Sequence, residues 1–354
     1  MDPGLLAYTA ILRAMNDPRD NTTDQIHFLL MPGFSMLGFS CALEPLRAAN
    51  RFGGPLYDWH IVSRDGGPVP ASGGITIMAD RAMGDVARAA TVFVVAGYDP
   101  LDHHDSDVAA WLRRLDLFGT TLGAVDTGCF VLAESGLLGR EPVTLHWEAI
   151  PAFVESYPTL TVTQELFEIG ERRITCAGGT AALDMMLHLI GRKHGSGLAV
   201  QVSEQFVQGH IRDRSEHQRM EIAARYGVHN KKLVQVLGIM ETHLADLLST
   251  DALAVRVGVT RRQLERLFRE HLHDSPSNLY LNLRLDRARQ LLQQTDMNIM
   301  EVSVACGFES ASHFSRTYRA RFKVCPSRDR EALQALPRVV PASIAAIQEL
   351  VPQR

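Results

Sequence analysis

The chain has no apolar run of 18 residues, so no segment is long and apolar enough to cross a bilayer as a helix. Its opening residues, MDPGLLAYTA, carry neither a basic leader nor a long apolar stretch, and a cytoplasmic location is expected. Cysteine is sparse: Cys41, Cys129, Cys176, Cys306 and Cys325 are scattered and form no CxxC pair. Such spacing supplies neither a disulfide framework nor a thiolate metal site. The histidine pairs, His103 with His104 and His271 with His273, have no zinc-ligand company, so no metal or other cofactor is expected. Apolar residues make up 46% and charged residues 21%, which excludes a disordered or fibrous chain. At 354 residues the length exceeds one compact unit, and two domains are expected.

The net charge of −4 hides an asymmetry. Residues 231–330 hold 16 Lys and Arg against 11 Asp and Glu, whereas the rest of the chain holds 20 against 29. A basic third beside an acidic remainder is the pattern of a protein whose C-terminal domain meets a polyanion.

After a tail, 1–21, the pattern becomes alternating. IHFLLM, YDWHIVS, TVFVVAG and TTLGAVD are short apolar runs of strand length, separated by Gly and Pro clusters and by helical stretches at 36–50, 107–117 and 181–190. The expected fold for 22–195 is α/β, a doubly wound, flavodoxin-like and mostly parallel sheet. GRKHGSG reads as the boundary, followed by a polar connector, 196–230, that offers a dimer contact or a plain solvated link. From 231 to 330 every segment is helical in period, with Leu233, Val236, Leu237, Met240, Leu244 and Leu247 on one face of a first helix; 331–354 is a second tail.

An internal repeat dominates the C-terminal domain. LAVRVGVTRRQLERLFRE, 253–270, resembles VSVACGFESASHFSRTYRA, 302–320. Each copy reads as a short helix, a glycine (Gly258, Gly307) suited to a left-handed turn, an N-capping hydroxyl (Thr260, Ser310) and a second helix. That is a helix-turn-helix twice over. The second helices put Leu264, Leu267 and Phe268, or Phe314, Tyr318 and Phe322, on one face. Arg261, Arg262, Glu265, Arg266 and Arg269, or Ser312, His313, Arg316 and Arg319, are left for a major groove. The helix between, apolar at Leu281, Leu285, Ala288 and Leu292, suits a strut that spaces two reading helices by about 34 Å, one DNA turn. The order VTRRQLERLFRE, SPSNLYLNLRLDRARQLL, ACGFESASHFSRTYRARF resembles the AraC/XylS family of transcription regulators across nearly all of 231–330. The resemblance implies double-stranded promoter DNA and RNA polymerase as partners, and a homodimer.

In the first domain, LGAVDTGCFVLAESGLL reads as a strand entering a helix through a sharp Asp-Thr-Gly turn, an elbow that points its apex residue into a pocket and offers first-turn amides to an anion. With EPLRAAN and TLHWEAIP, it resembles the PfpI-like, class I glutamine-amidotransferase-like domain that precedes the AraC module in GlxA-type regulators. In enzyme members of that fold the apex is a cysteine; here it is Asp126. By the same resemblance His146 stands where the family has its histidine and Glu44 where it has an acid near the thiol. Without a thiol at the apex no Cys/His pair forms, and no catalytic residue is expected. Cys129, three residues on, reads as a packed structural cysteine.

Two carboxylates, Asp126 and Glu44, with Phe34, Tyr98 and Trp147 to line the space, suit an ammonium or guanidinium group. Chains resembling this one at DTG and LHWEA sense arginine, glycine betaine or carnitine, so the resemblance implies a small amine carrying a carboxylate. That carboxylate would meet the amides of Gly128 and Cys129, or His146. Each residue also has a structural reading: the aromatics as core, Glu44 as partner of Arg47, Asp126 as helix cap. Two rival functions stand beside an activator that responds to this metabolite: a hydrolase or glyoxalase fused to a DNA-binding module, and a constitutive DNA-binding protein whose α/β domain only dimerises.

Overall fold

The computed structural model describes residues 23–335; the expected N-terminal tail and residues 336–354 of the C-terminal one lie outside them. The chain begins with β1 (Asp24–Leu30), buried along most of its length, and passes through a turn to α1 (Met36–Gly53), whose N-cap Ser35 accepts the Gly38 N–H. There follow β2 (Tyr57–Ser63), a small antiparallel hairpin β3 (Pro68–Pro70) and β4 (Thr76–Met78), β5 (Arg81–Ala82), β6 (Thr91–Val95), α2 (Ser106–Leu117), β7 (Thr121–Val125), α3 (Gly128–Glu134) and α4 (Ile150–Ser156). The domain closes with β8 (Phe167–Ile169), β9 (Arg173–Cys176), α5 (Ala181–His194) and α6 (Ser196–Gln205).

The sheet order is β5-β2-β1-β6-β7-β9-β8, parallel except for the antiparallel edge pair β8 and β9. One apolar layer packs α1, α5 and α6 against it, and another packs α2, α3 and α4 on the opposite face. This is the doubly wound, flavodoxin-like fold expected from the buried runs. The winding reverses between β1 and β6, so the carboxyl ends of β1, β6 and β7 open a crevice where such sheets bind ligands.

Two segments differ from the sequence expectation. The chain turns at Gly195 and α6 folds back onto α1 and α5, with Ala199 and Val202 buried, so the connector starts after Gln205. Its amphipathic spacing was masked by polar neighbours. In the C-terminal domain, after α7 (Ile222–Tyr226), α8 (Lys231–Thr242) ends before Leu244 and Leu247. The His243 ring and the Thr242 hydroxyl bond back to the Ile239 carbonyl, and the apolar spacing simply continues past that end.

The remaining helices are α9 (Thr250–Arg256), α10 (Arg261–Leu272), α11 (Pro276–Gln294), α12 (Ile299–Ala305), α13 (Ala311–Phe322) and α14 (Pro326–Ala335). Leu233, Val236, Leu237, Met240, Leu253, Leu264 and Phe268 form the core of the first helix-turn-helix unit. The second unit builds its core on α11, and this core is continuous with the α/β domain: Leu285, Ala288, Leu291, Phe314 and Tyr318 share one cluster with Val143, Leu145, Ala149 and Phe153. α4 lies against α11, and Glu155 faces Arg287 at 3.9 Å across that contact.

Candidate sensing site and nucleic-acid interface

Asp126 follows β7 with a φ of +64°, the left-handed region that a residue with a side chain seldom adopts. Its N–H donates to the Cys176 carbonyl at 3.0 Å, and its own carbonyl accepts from the His146 N–H at 3.4 Å. The Thr127 hydroxyl donates to the Gly97 carbonyl beside it. The carboxylate lies across the backbone of Gly178, where any Cβ would come within 2.7 Å of it, so the Gly178 position is closed to side chains. This is the strained elbow expected of the Asp-Thr-Gly turn, held by three neighbouring loops.

Solvent reaches part of Asp126, yet protein surrounds the carboxyl on most sides, and desolvation pushes it up to about 6. His146 and the hydrogen bond from Ser35 pull the other way, while Glu148 pushes it further up. The His146 Nδ1 is 3.9 Å from Glu148 Oε2, and its ring lies 5.7 Å from that of Trp147. Over the Trp147 ring, 4.2 Å from its centroid, stands the guanidinium of Arg219 from the connector. Asp126, Ser35, His146 and Glu148 thus act on one another at the elbow, and Trp147 adjoins them through its contact with the His146 ring. Glu148, Ser35 and Arg219 were not singled out from sequence; Glu148 is two residues from His146 in LHWEA, but no local signal marks Ser35 or Arg219.

Other expected members go elsewhere. Glu44 is held by the Arg47 Nε at 2.6 Å on the surface of α1 and is not among the charges acting on Asp126. Phe34 is 0% exposed, edge-on to Phe39, so it is core and not pocket lining in this arrangement. Tyr98 is 71% exposed on the loop after β6. Gly128 is buried against the Val94 carbonyl, which a Cβ would approach to 2.3 Å, so the helix-strand approach requires it. Cys129 is fully buried, its thiol donates to the Thr144 carbonyl at 3.2 Å, and burial pushes its pKa far above that of a free cysteine. The amides of Gly128 and Cys129 fall in the first turn of α3, ahead of its helical hydrogen bonds.

In the C-terminal domain, Gly258 and Gly307 take φ of +67° and +70°, and the Thr260 and Ser310 hydroxyls accept the N–H of Gln263 and His313. Leu264, Phe268, Phe314 and Tyr318 turn inward. Arg262, Arg266, Ser312, His313, Arg316 and Arg319 are exposed on α10 and α13. Arg261 is drawn along its own helix to Glu265 at 2.9 Å and to Asp251 at 3.3 Å, and Arg266 lies 3.7 Å from Glu270. Such exposed pairs are weak and a phosphate can displace them.

Two helix-turn-helix units with cationic outer faces, attached to an α/β domain whose elbow lacks a nucleophile, define a DNA-binding regulator with a sensing domain. Comparison with known proteins gives the family. Residues 253–332 match the helix-turn-helix domain family and residues 24–192 the DJ-1/PfpI family. The chain is 61% identical over 306 residues to the HTH-type transcriptional regulator CdhR of Pseudomonas aeruginosa, covering 86% of this chain and 91% of that protein. It is 42% identical over 315 residues to the HTH-type transcriptional regulator GbdR of the same species, covering 89% and 86%. An AraC family transcriptional regulator from Pseudomonas putida superposes with a TM-score of 0.48 at 25% identity, covering 52% of this chain and 99% of that one. The protein belongs to the AraC-type transcription regulators of the GlxA group, in which a DJ-1/PfpI domain precedes the helix-turn-helix domain.

Proposed function

We propose that the α/β domain binds a small metabolite with a cationic nitrogen and a carboxylate, of the arginine, glycine betaine or carnitine type. The bound form activates transcription of the genes that catabolise it. The observation that carries this reading is Asp126: a carboxyl stands where a nucleophile would act, enclosed beyond the carboxyl end of β7, with Glu148 acting on it and Trp147 beside His146. Negative charge beside an aromatic face favours an ammonium or guanidinium. In this reading His146 and the first-turn amides of Gly128 and Cys129 take the carboxylate end. The chain acts as a homodimer on double-stranded promoter DNA and contacts RNA polymerase there. Ligand binding shifts the equilibrium between arrangements of the two domains. No cysteine chemistry is proposed, because Cys129 is buried with a raised pKa and turned away from the apex.

Calorimetry with arginine, glycine betaine and carnitine on wild type and Asp126→Asn tests it. One of the three should bind wild type, and Asp126→Asn should lose about tenfold or more, since charge-assisted contacts exceed neutral ones by about 1.4 kcal/mol. Equal affinities, or an inducer without positive charge, would make the carboxylate structural.

A further inference from the structure

We propose that Arg219 is an internal cation that fills the face of Trp147 until a ligand cation takes its place, and that its departure frees the strap joining the sensing site to the DNA-binding domain. This rests on the reading of Trp147 as the wall that receives a ligand's positive nitrogen.

Three observations converge. The Arg219 guanidinium sits 4.2 Å over the Trp147 ring, and among the described residues no carboxylate lies within ion-pair distance of it. Glu241 and Glu148 attract its charge from beyond that distance, and Arg225 repels it. Second, its neighbour Gln218 is anchored in the sensing domain. The Gln218 amide donates to Thr144 Oγ1 at 3.0 Å and to the Leu145 carbonyl at 3.1 Å, on the segment that leads into His146 and Trp147, and to the Glu165 carbonyl at 2.9 Å ahead of β8. Third, six residues beyond Arg219, the Arg225 guanidinium grips Glu241 of α8 through two bonds, at 2.8 and 2.6 Å, and Tyr226 adds a third at 3.0 Å. Residues 218–226 therefore run from the mouth of the sensing site to the first long helix of the DNA-binding domain.

A ligand with an ammonium or guanidinium group competes with Arg219 for the same aromatic face. The contact is on the surface, where water also competes for the guanidinium, so it is weak enough to yield to a ligand that gains Asp126 as well. Such an internal competitor lowers the apparent ligand affinity by the fraction of chains in which it occupies the site.

The test uses the full-length chain as wild type, Arg219→Gln and Trp147→Ala, with glycine betaine, carnitine, arginine and tetramethylammonium as probes. Limited trypsin digestion reads strap release at Arg225, and calorimetry reads affinity. In wild type, a bound probe should accelerate cleavage at this site. Arg219→Gln should be cleaved rapidly without any probe, should show no further acceleration, and should bind the probe about threefold to tenfold more tightly. Trp147→Ala should be cleaved rapidly without a probe and lose probe binding. If a probe binds Arg219→Gln and wild type equally and cleavage is unchanged, the proposal is overturned while the sensing function stands. If no probe binds wild type, the sensing function fails, and the probe-free cleavage of Arg219→Gln against wild type still decides whether Arg219 holds the strap.

Discussion

At Asp126 desolvation raises the pKa while His146 and Ser35 lower it, and desolvation wins, leaving the carboxyl at about 6. A folded-state pKa above the ordinary carboxylate value near 4 means the fold prefers the neutral form. The resulting stability is fully present below about pH 4 and is lost as pH rises through about 6, by roughly 1–3 kcal/mol once solvent access is allowed for. Asp126→Asn removes that loss, so the variant should be the more thermostable at pH 7–8, with the difference closing toward pH 4. Thermal melts across that range check it, and a gap that does not change with pH would place the titration elsewhere. A cationic ligand favours the ionised carboxylate, so ligand affinity in wild type should weaken as pH falls through about 6.

Among the elements, the two helix-turn-helix copies are alike in sequence but unequal in strain. Both turn glycines are left-handed, but a Cβ at Gly258 meets only the end of the Lys232 side chain at 3.7 Å. A Cβ at Gly307 would meet the Ala245 carbonyl at 2.6 Å and the Leu244 carbonyl at 2.9 Å, backbone that cannot yield cheaply. The Gly307 turn is clamped from the other side as well: Arg284 of α11 donates to the Cys306 and Gly307 carbonyls at 2.8 and 2.7 Å and lies 3.9 Å over the Phe308 ring. Gly258→Ala should cost about 1–2 kcal/mol, the strain of a left-handed residue with a side chain. Gly307→Ala should cost distinctly more, on the order of 3 kcal/mol or above, because overpacking adds to the strain. Urea unfolding of both variants compares them, and equal costs would show that the Leu244–Ala245 segment moves freely.

For the whole molecule, the charge asymmetry becomes a division of labour. The exposed arginines of α10 and α13 present two cationic faces separated by α11, and a single protomer should protect two successive major-groove segments of its operator. Arg266→Ala and Arg316→Ala should each weaken specific binding by about 1–3 kcal/mol if the arginine reads a base, measured by gel shift and footprinting. One protected segment, or unchanged affinity in both variants, would contradict it. The second reading unit shares its core with the sensing domain through α4 and α11. Since α4 begins four residues after His146, a change at the elbow has a short packed route to α13, in parallel with the connector.

The sequence by itself determined the parts whose physics is local. Buried strands appear as apolar runs, the repeat carries its own glycines and capping hydroxyls, and the elbow announces its apex at Asp126. The α/β class, the double helix-turn-helix and the outward arginines were legible for that reason. What joins distant segments was not. Glu44 turned to Arg47 because the nearest partner on its own helix costs least to reach, and Phe34 entered the core because an apolar ring gains most by leaving water. Helix α6 was hidden in a polar stretch because few of its residues, Leu198, Ala199 and Val202, turn an apolar side chain inward. The company of Asp126, with Ser35, His146, Glu148 and the Arg219–Trp147 contact, is assembled from four loops. Which loops converge depends on the strand order of the sheet, and only tertiary packing decides that order.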